Sequence, residues 1–488
     1  MMRKQVFQAE IYVWLLCLLL GSGCRAQEPP AVWPTPIGAA TITLLPATPT
    51  LIPTPTPLPS PTPDTRSLGD PYIPELGNLG YDVQRYTLQL ALDPDVVWVR
   101  GTAVLEAITT TPLSELSLDF VGFTVTGVWW ETTPASFTRS DAKLIITLPE
   151  PASAALPFRL TIAYEGAPAP TTSPHATFAD SLGFVFGGQQ TVYTLAEPDG
   201  ARAWFPCNDH PRDKALFRFE VTTPLPYTAV ANGQLHATLP ADAGQQTFIW
   251  EHNYPMATYL ALVAVGVYER LDDVSPGGIP LRHYIFPEAR AEFEPVAATT
   301  AVAIDWMSDL FGPYPFEAFG LVMVDGLSLA METQTMVLVS PELLGKKTAV
   351  HELAHMWFGN WVSLDSWSEM WRKEGLATYI ELLWRFRDDA AGLEAEMANI
   401  TSGITTNSRQ FSLAAPPPAY LFDYNIYYKG AALLHALRQE MGDEAFFAGL
   451  RVYVQSYGGR AASDAQFRAV MEAAVGRSLA PFFAQWLG

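Results

Sequence analysis

The sequence predicts an α+β protein in which an antiparallel β domain over residues 70–272 precedes a mainly helical domain over 273–488. Two observations carry this. Apolar residues alternate with a period of two up to about residue 280, and beyond it they recur at helical spacing. A third observation separates both domains from the front of the chain, where composition shifts abruptly to proline and threonine.

Residues 1–23 read as a secretory signal. Arg3 and Lys4 lead an apolar stretch from Ile11 to Leu20 that is too short to span a bilayer as a helix. Leu20-Gly21-Ser22-Gly23-Cys24 resembles a bacterial lipoprotein signal box with Cys24 as the lipidated first residue, although its leucine sits one place early. The expected location is therefore the cell envelope, outside the cytoplasm and held to a membrane through Cys24; a secreted soluble form is the alternative. Residues 24–69 read as a Pro/Thr-rich stalk. Such a segment builds no core and extends by about 3.1 Å per residue, a reach on the order of 100 Å.

With Cys17 in the signal and Cys24 at its end, Cys207 stands alone and the mature chain has no cysteine pair to bridge. Core burial must then supply the stability. A net charge of −21 argues against a nucleic-acid partner. In the β region, Tyr86, Leu88, Leu90 and Leu92 alternate with polar or small residues, as do Leu116-Ser117-Leu118-Asp119-Phe120 and Leu160-Thr161-Ile162-Ala163-Tyr164. Strand signals continue to Tyr259-Leu260-Ala261-Leu262-Val263. Helical patterns follow at Val296 to Phe311, around His351, from about Glu369 to Arg385, and from Gly430 to Gln439.

The segment His351-Glu352-Leu353-Ala354-His355 carries the chemistry. Two histidines four residues apart lie on one face of a helix, so both imidazoles can bind one metal, and Glu352 projects beside them as a general base. Val350, Leu353, Ala354 and Trp357 give that helix an apolar face, and Gly359-Asn360 is its expected stop. A third ligand must be hard and anionic and come from another element if the fourth position is to stay open; Glu374, near the start of the next helical pattern, qualifies. One Zn²⁺ is the expected cofactor.

With that signature in place, four further segments make the chain resemble the aminopeptidase N and leukotriene hydrolase family of zinc metallopeptidases. Leu329-Ala330-Met331-Glu332-Thr333 is similar to its Gly-x-Met-Glu-Asn exopeptidase motif, and Arg202 to Pro211 to its Arg-x-x-x-Pro-Cys-x-Asp-x-Pro stretch. Tyr427-Tyr428-Lys429-Gly430 matches a Tyr-x-Lys-Gly element, and Phe311 to Phe316 a shared turn. The resemblance covers residues 80–488. It implies a saddle-like N-terminal sheet domain and a thermolysin-like catalytic domain. It also implies zinc on His351, His355 and Glu374, Glu352 as base and then acid, and Tyr427 as donor to the oxyanion. Glu332 and Glu197, with Ala330 and Met331, would bind the free α-ammonium end of a peptide substrate.

The chain departs from the family in four places. Leu329 and Thr333 replace the first and last residues of the exopeptidase motif, which leaves the side-chain preference open. Lys373 stands where an asparagine usually precedes the third ligand. The sequence also ends near the expected end of the catalytic domain, so the expectation is a short form with an open cleft that accepts longer peptides. The rival readings are a zinc endopeptidase, which has no use for Glu332 and Glu197, and a stalk-borne binding lipoprotein with a vestigial metal site.

Overall fold

The computed structural model describes residues 66–487 apart from 141, 188–190 and 407–409. The expected signal segment, Cys24 and the expected stalk up to residue 65 lie outside the described residues. Positions 66–69, expected in the stalk, belong to the fold: Ser67 is buried and pairs with Asn78, and the Leu79 amide donates to the Arg66 carbonyl.

The largest sheet of the first half has eight strands. Its main strands are β1 (Tyr81–Asp93), β2 (Val96–Thr109), β3 (Thr124–Trp130), β4 (Pro157–Gly166), β5 (Lys214–Pro224), β6 (Gln234–Pro240) and β7 (Gln245–Ala257), in the spatial order β6-β7-β5-β1-β2-β4-β3. Strand β1 shows how the pattern is written. Tyr81 and Val83 face the core, a register shift follows between Val83 and Arg85, and the buried positions then become Tyr86, Leu88, Leu90 and Leu92. A bulge adds one residue, so the inward parity switches from odd to even. The sheet is not wholly antiparallel, since β1 pairs with β5 in parallel.

The expected strand at Tyr259–Val263 is displaced. Thr258–Leu260 is a 3₁₀ turn and the strand runs from Val263 to Gly266. Asn232 explains the difference: its side chain donates to the Leu260 carbonyl at 2.9 Å and accepts from the Leu262 amide at 2.6 Å, taking the bonds that a neighbouring strand would otherwise make.

A second, five-stranded sheet contains β8 (Glu269–Val274), β9 (Pro280–Ile285), β10 (Leu321–Met323), β11 (Ala330–Met331) and β12 (Val337–Val339), in the order β8-β9-β10-β12-β11. The expected boundary at 272/273 falls inside β8, which pairs along its length with β9. That sheet therefore starts before the boundary and runs to the strand preceding Glu332.

The helices that shape the site are α1 (Arg290–Phe311), α2 (Lys346–Ala354), α3 (Met370–Arg385), α4 (Ala390–Thr406), α5 (Tyr424–Met441), α6 (Asp443–Tyr457) and α7 (Asp464–Val475). Helix α3 is the central one, with every residue from Met370 to Leu383 buried. Its charged side chains are each paired: Arg372 bridges Glu369 at 2.9 Å and also contacts Asp464, tying α3 to the start of α7. Buried charges persist only with such partners. Helix α5 starts six residues before the expected position because Asp423 caps it, its side chain accepting from the Asn425 amide at 3.0 Å. Among the described residues no helix is long and apolar enough to cross a membrane.

Candidate active site

Helix α2 buries Ala349, Val350, Leu353 and Ala354, and this orients His351 and Glu352 toward α3. Its regular part ends at Ala354, earlier than the Gly359-Asn360 stop expected from the sequence. His355 is the C-cap in right-handed helical conformation, and the chain continues through i→i−3 bonds from Met356 and Trp357. The His355 Nδ1 lies 3.1 Å from the Phe358 carbonyl oxygen. A carbonyl only accepts, so Nδ1 carries the proton and Nε2 presents a lone pair to the interior.

The three expected ligands converge. His351 Nε2 and His355 Nε2 are 3.3 Å apart, and each stands 3.4 Å from Glu374 Oε2. Zinc bound tetrahedrally at about 2.0–2.1 Å from N and O ligands requires edges of about 3.3–3.4 Å, so the donor set fits the ion in both chemistry and spacing. Burial lowers the His351 pKa, favouring the neutral imidazole that ligates. Burial works in the other direction on Glu374, yet the Lys373 ammonium and the two imidazoles hold its carboxyl well below the usual carboxylate range. Two further acidic groupings, Glu332 with Glu352 and His355, and Glu197 with Glu332 and Glu374, are also close enough to hold an ion. In the second of these, all three carboxylates already face the Lys373 ammonium.

Glu352 is buried on α2 with its carboxylate near those of Glu332 and Glu374. Burial, then the charges of these two neighbours, pushes its carboxyl well above the usual range. A general base working near neutral pH needs that shift. The Tyr427 ring stacks on His351, with centroids 6.2 Å apart and planes at 28°. Burial, followed by the nearby Glu374 charge, pushes its hydroxyl pKa up, so Tyr427 stays a proton donor. Tyr428 faces elsewhere, stacking on Tyr424 at 4.2 Å. A glycine contact sets this geometry: a Cβ on Gly430 would come within 2.9 Å of the Gly375 Cα and the Trp371 carbonyl oxygen. Helices α3 and α5 therefore meet backbone to backbone one turn after Tyr427, which the Tyr-x-Lys-Gly spacing encodes.

Strand β11 pairs antiparallel with β12, Ala330 opposite Val339 and Met331 opposite Leu338, and places Glu332 at its end. The Glu332 backbone carbonyl accepts from Asn360 Nδ2 at 2.7 Å, and its buried side chain contacts Lys373 Nζ. Glu197 reaches the same ammonium from the end of a strand of the N-terminal half, Val192–Leu195. Of the departures, Thr333 turns inward, donating its hydroxyl to the Met336 carbonyl, while Leu329 is partly buried against the core. The structure thus brings together His351, His355, Glu374, Glu352, Tyr427, Glu332 and Glu197.

Comparison with known proteins places this geometry. Residues 297–486 match the Peptidase family M1 domain and residues 83–260 the Peptidase M1 N-terminal domain. An M1 zinc metallopeptidase from Deinococcus radiodurans superposes with a TM-score of 0.78 at 30% identity, covering 86% of this chain and 96% of that one. The chain belongs to peptidase family M1. A mutant form of the Deinococcus radiodurans protein bound to a Tyr-Ser-Ala substrate superposes with a TM-score of 0.76 at 30% identity, over 86% of this chain and 97% of that one. Human (Homo sapiens) glutamyl aminopeptidase is 28% identical over 310 residues, 58% of this chain and 32% of its own. Human endoplasmic reticulum aminopeptidase 2 is 28% identical over 306 residues, 57% of this chain and 32% of its own. The chain thus spans about a third of the length of these curated relatives. M1 membership makes it a metallopeptidase that uses a single catalytic zinc.

Three residues at the M1 site went unassigned in the sequence. Asn360 looked like a helix stop, but it holds the backbone of Glu332. Tyr259 looked like strand core, but its ring faces Lys373 Nζ at 5.4 Å. Lys373 stood out as a departure from the family pattern, and its partners lie 41 and 176 positions away.

Proposed function

We propose that this chain is a zinc aminopeptidase that removes N-terminal residues from peptides with a free α-ammonium group. Two buried carboxylates, Glu197 and Glu332, converge beside the metal ligand Glu374 and hold the Lys373 ammonium, and an acceptor pair in that place supports recognition of a free amino end. His351, His355 and Glu374 would hold the zinc, which when bound would supply Lewis acidity. Glu352 takes the water's proton and returns it to the departing amine. Tyr427 donates its hydroxyl to the oxyanion of the tetrahedral intermediate. Glu332 and Glu197 accept the substrate's α-ammonium, and an N-acetylated end, a neutral amide with a single N–H, cannot make those charge-assisted bonds, which penalises it. The Tyr-Ser-Ala complex of the Deinococcus radiodurans relative supports a peptide as substrate.

Tyr427→Phe removes one donor and lowers kcat by about 10²-fold or more with little change in KM. Steady-state kinetics on an aminoacyl amide check this. The reaction class itself is tested by mass spectrometry of a decapeptide digest: the proposal requires a ladder shortened one residue at a time from the amino end, and internal cuts contradict it.

We further propose that the enzyme works outside the cytoplasm, anchored through Cys24 and spaced from the membrane by the Pro/Thr-rich stalk. The leader and stalk sequences support this reading. Cys24→Ala then moves the protein from the membrane to the soluble fraction; an unchanged distribution counts against the anchor.

A further inference from the structure

The ammonium held by Glu197 and Glu332 in this structure belongs to the chain itself. Lys373 lies next to Glu374 on α3, and its Nζ contacts Glu197 Oε1 and Glu332 Oε1 and stands 3.2 Å from Glu374 Oε1. Its side chain is 0% exposed, and Nζ faces the Tyr259 ring. The aliphatic stem is seated as closely. At Gly359, where φ is +119°, a Cβ would come within 2.9 Å of Lys373 Cγ and 3.1 Å of Cδ. The glycine is therefore what lets the lysine pass, and the position is built into the fold.

Resting on the aminopeptidase reading, we infer that Lys373 is a resident occupant of the α-ammonium subsite. An incoming peptide must displace it from Glu197 and Glu332, or share them with it, so Lys373 sets how much a free N-terminus counts toward binding. The physical reason is competition between like charges for the same buried acceptors. Two ammonium groups a few ångströms apart in a water-poor site repel each other strongly. A ligand that binds only the fraction of molecules whose carboxylates are free has its apparent affinity reduced by that fraction. If Lys373 holds the carboxylates in about nine molecules of ten, removing it tightens binding of an ammonium-bearing ligand by about tenfold. A ligand of the same shape without the ammonium gains nothing.

The test is calorimetry on zinc-loaded, full-length protein with two probes, L-leucinamide and its des-amino counterpart 4-methylpentanamide. The quantity read is the ratio of their dissociation constants in wild type and in Lys373→Met. The inference requires the preference for the amine to rise by about tenfold or more in the variant. Should Lys373→Met fail to fold, Lys373→Asn, which restores the residue the family usually carries there, is read in the same way. A preference equal to or below that of wild type overturns the inference, and so does failure of both variants to fold with zinc present. Failure of the aminopeptidase reading shows separately, as wild-type cleavage of N-acetylated peptides at least as fast as of free ones.

Discussion

Glu352→Gln lowers kcat by about 10³-fold or more while zinc content and KM stay within a few-fold of wild type. The amide keeps the shape of the side chain and loses the one property the reaction needs, a site that takes a proton from water. Its position on α2 beside His351, buried near the carboxylates of Glu332 and Glu374, makes an ionised carboxylate costly there. Glutamine removes that cost, so in the zinc-free protein the thermal midpoint of the variant equals or exceeds that of wild type. Metal analysis, calorimetry and kinetics on one preparation check all three statements. A variant that loses its zinc would instead place Glu352 among the ligands.

His355→Ala acts on the metal. His355 is buried, fixed by its Nδ1 contact to the Phe358 carbonyl, and its Nε2 forms one corner of the triangle with His351 and Glu374. Without it the site keeps one imidazole and one carboxylate, and zinc no longer survives dialysis against a chelator. Hydrolysis falls to the level of chelator-treated wild type. Wild type also gains stability from zinc, about 2.7 kcal/mol when free zinc exceeds its dissociation constant a hundredfold. The variant gains almost none. A calorimetric scan with and without zinc reads this, and an undiminished zinc-dependent gain in the variant would remove His355 from the metal site.

The metal triad was legible because its signal is local. Histidines at i and i+4 share a helix face whatever the rest of the chain does, and Glu374 lies on the next helix. The order of a β-rich half before a helical half was legible for the same reason, since apolar periodicity reports each element by itself. What escaped depends on contacts between distant segments. The 3₁₀ turn at Thr258–Leu260 follows from Asn232, and the paired ammonium of Lys373 from Glu197, which comes from the other half of the chain. Strand β8 reads as the end of the first half in sequence, and only its pairing with β9 assigns it to the sheet of Glu332. Gly430 was recognised as part of a motif, while its physical role, the backbone contact with Gly375 that brings Tyr427 to His351, required both helices in place.

The central claim is that this M1 site reads a free amino end through Glu332 and Glu197. The most direct measurement is kcat/KM of the zinc-loaded protein for one peptide with a free N-terminus and for its N-acetylated form, repeated with Glu332→Gln. The account predicts that acetylation lowers kcat/KM by about 10²-fold or more, and that Glu332→Gln slows cleavage of the free peptide and narrows the gap. Equal cleavage of the two forms by wild type, or a gap untouched by Glu332→Gln, would contradict it.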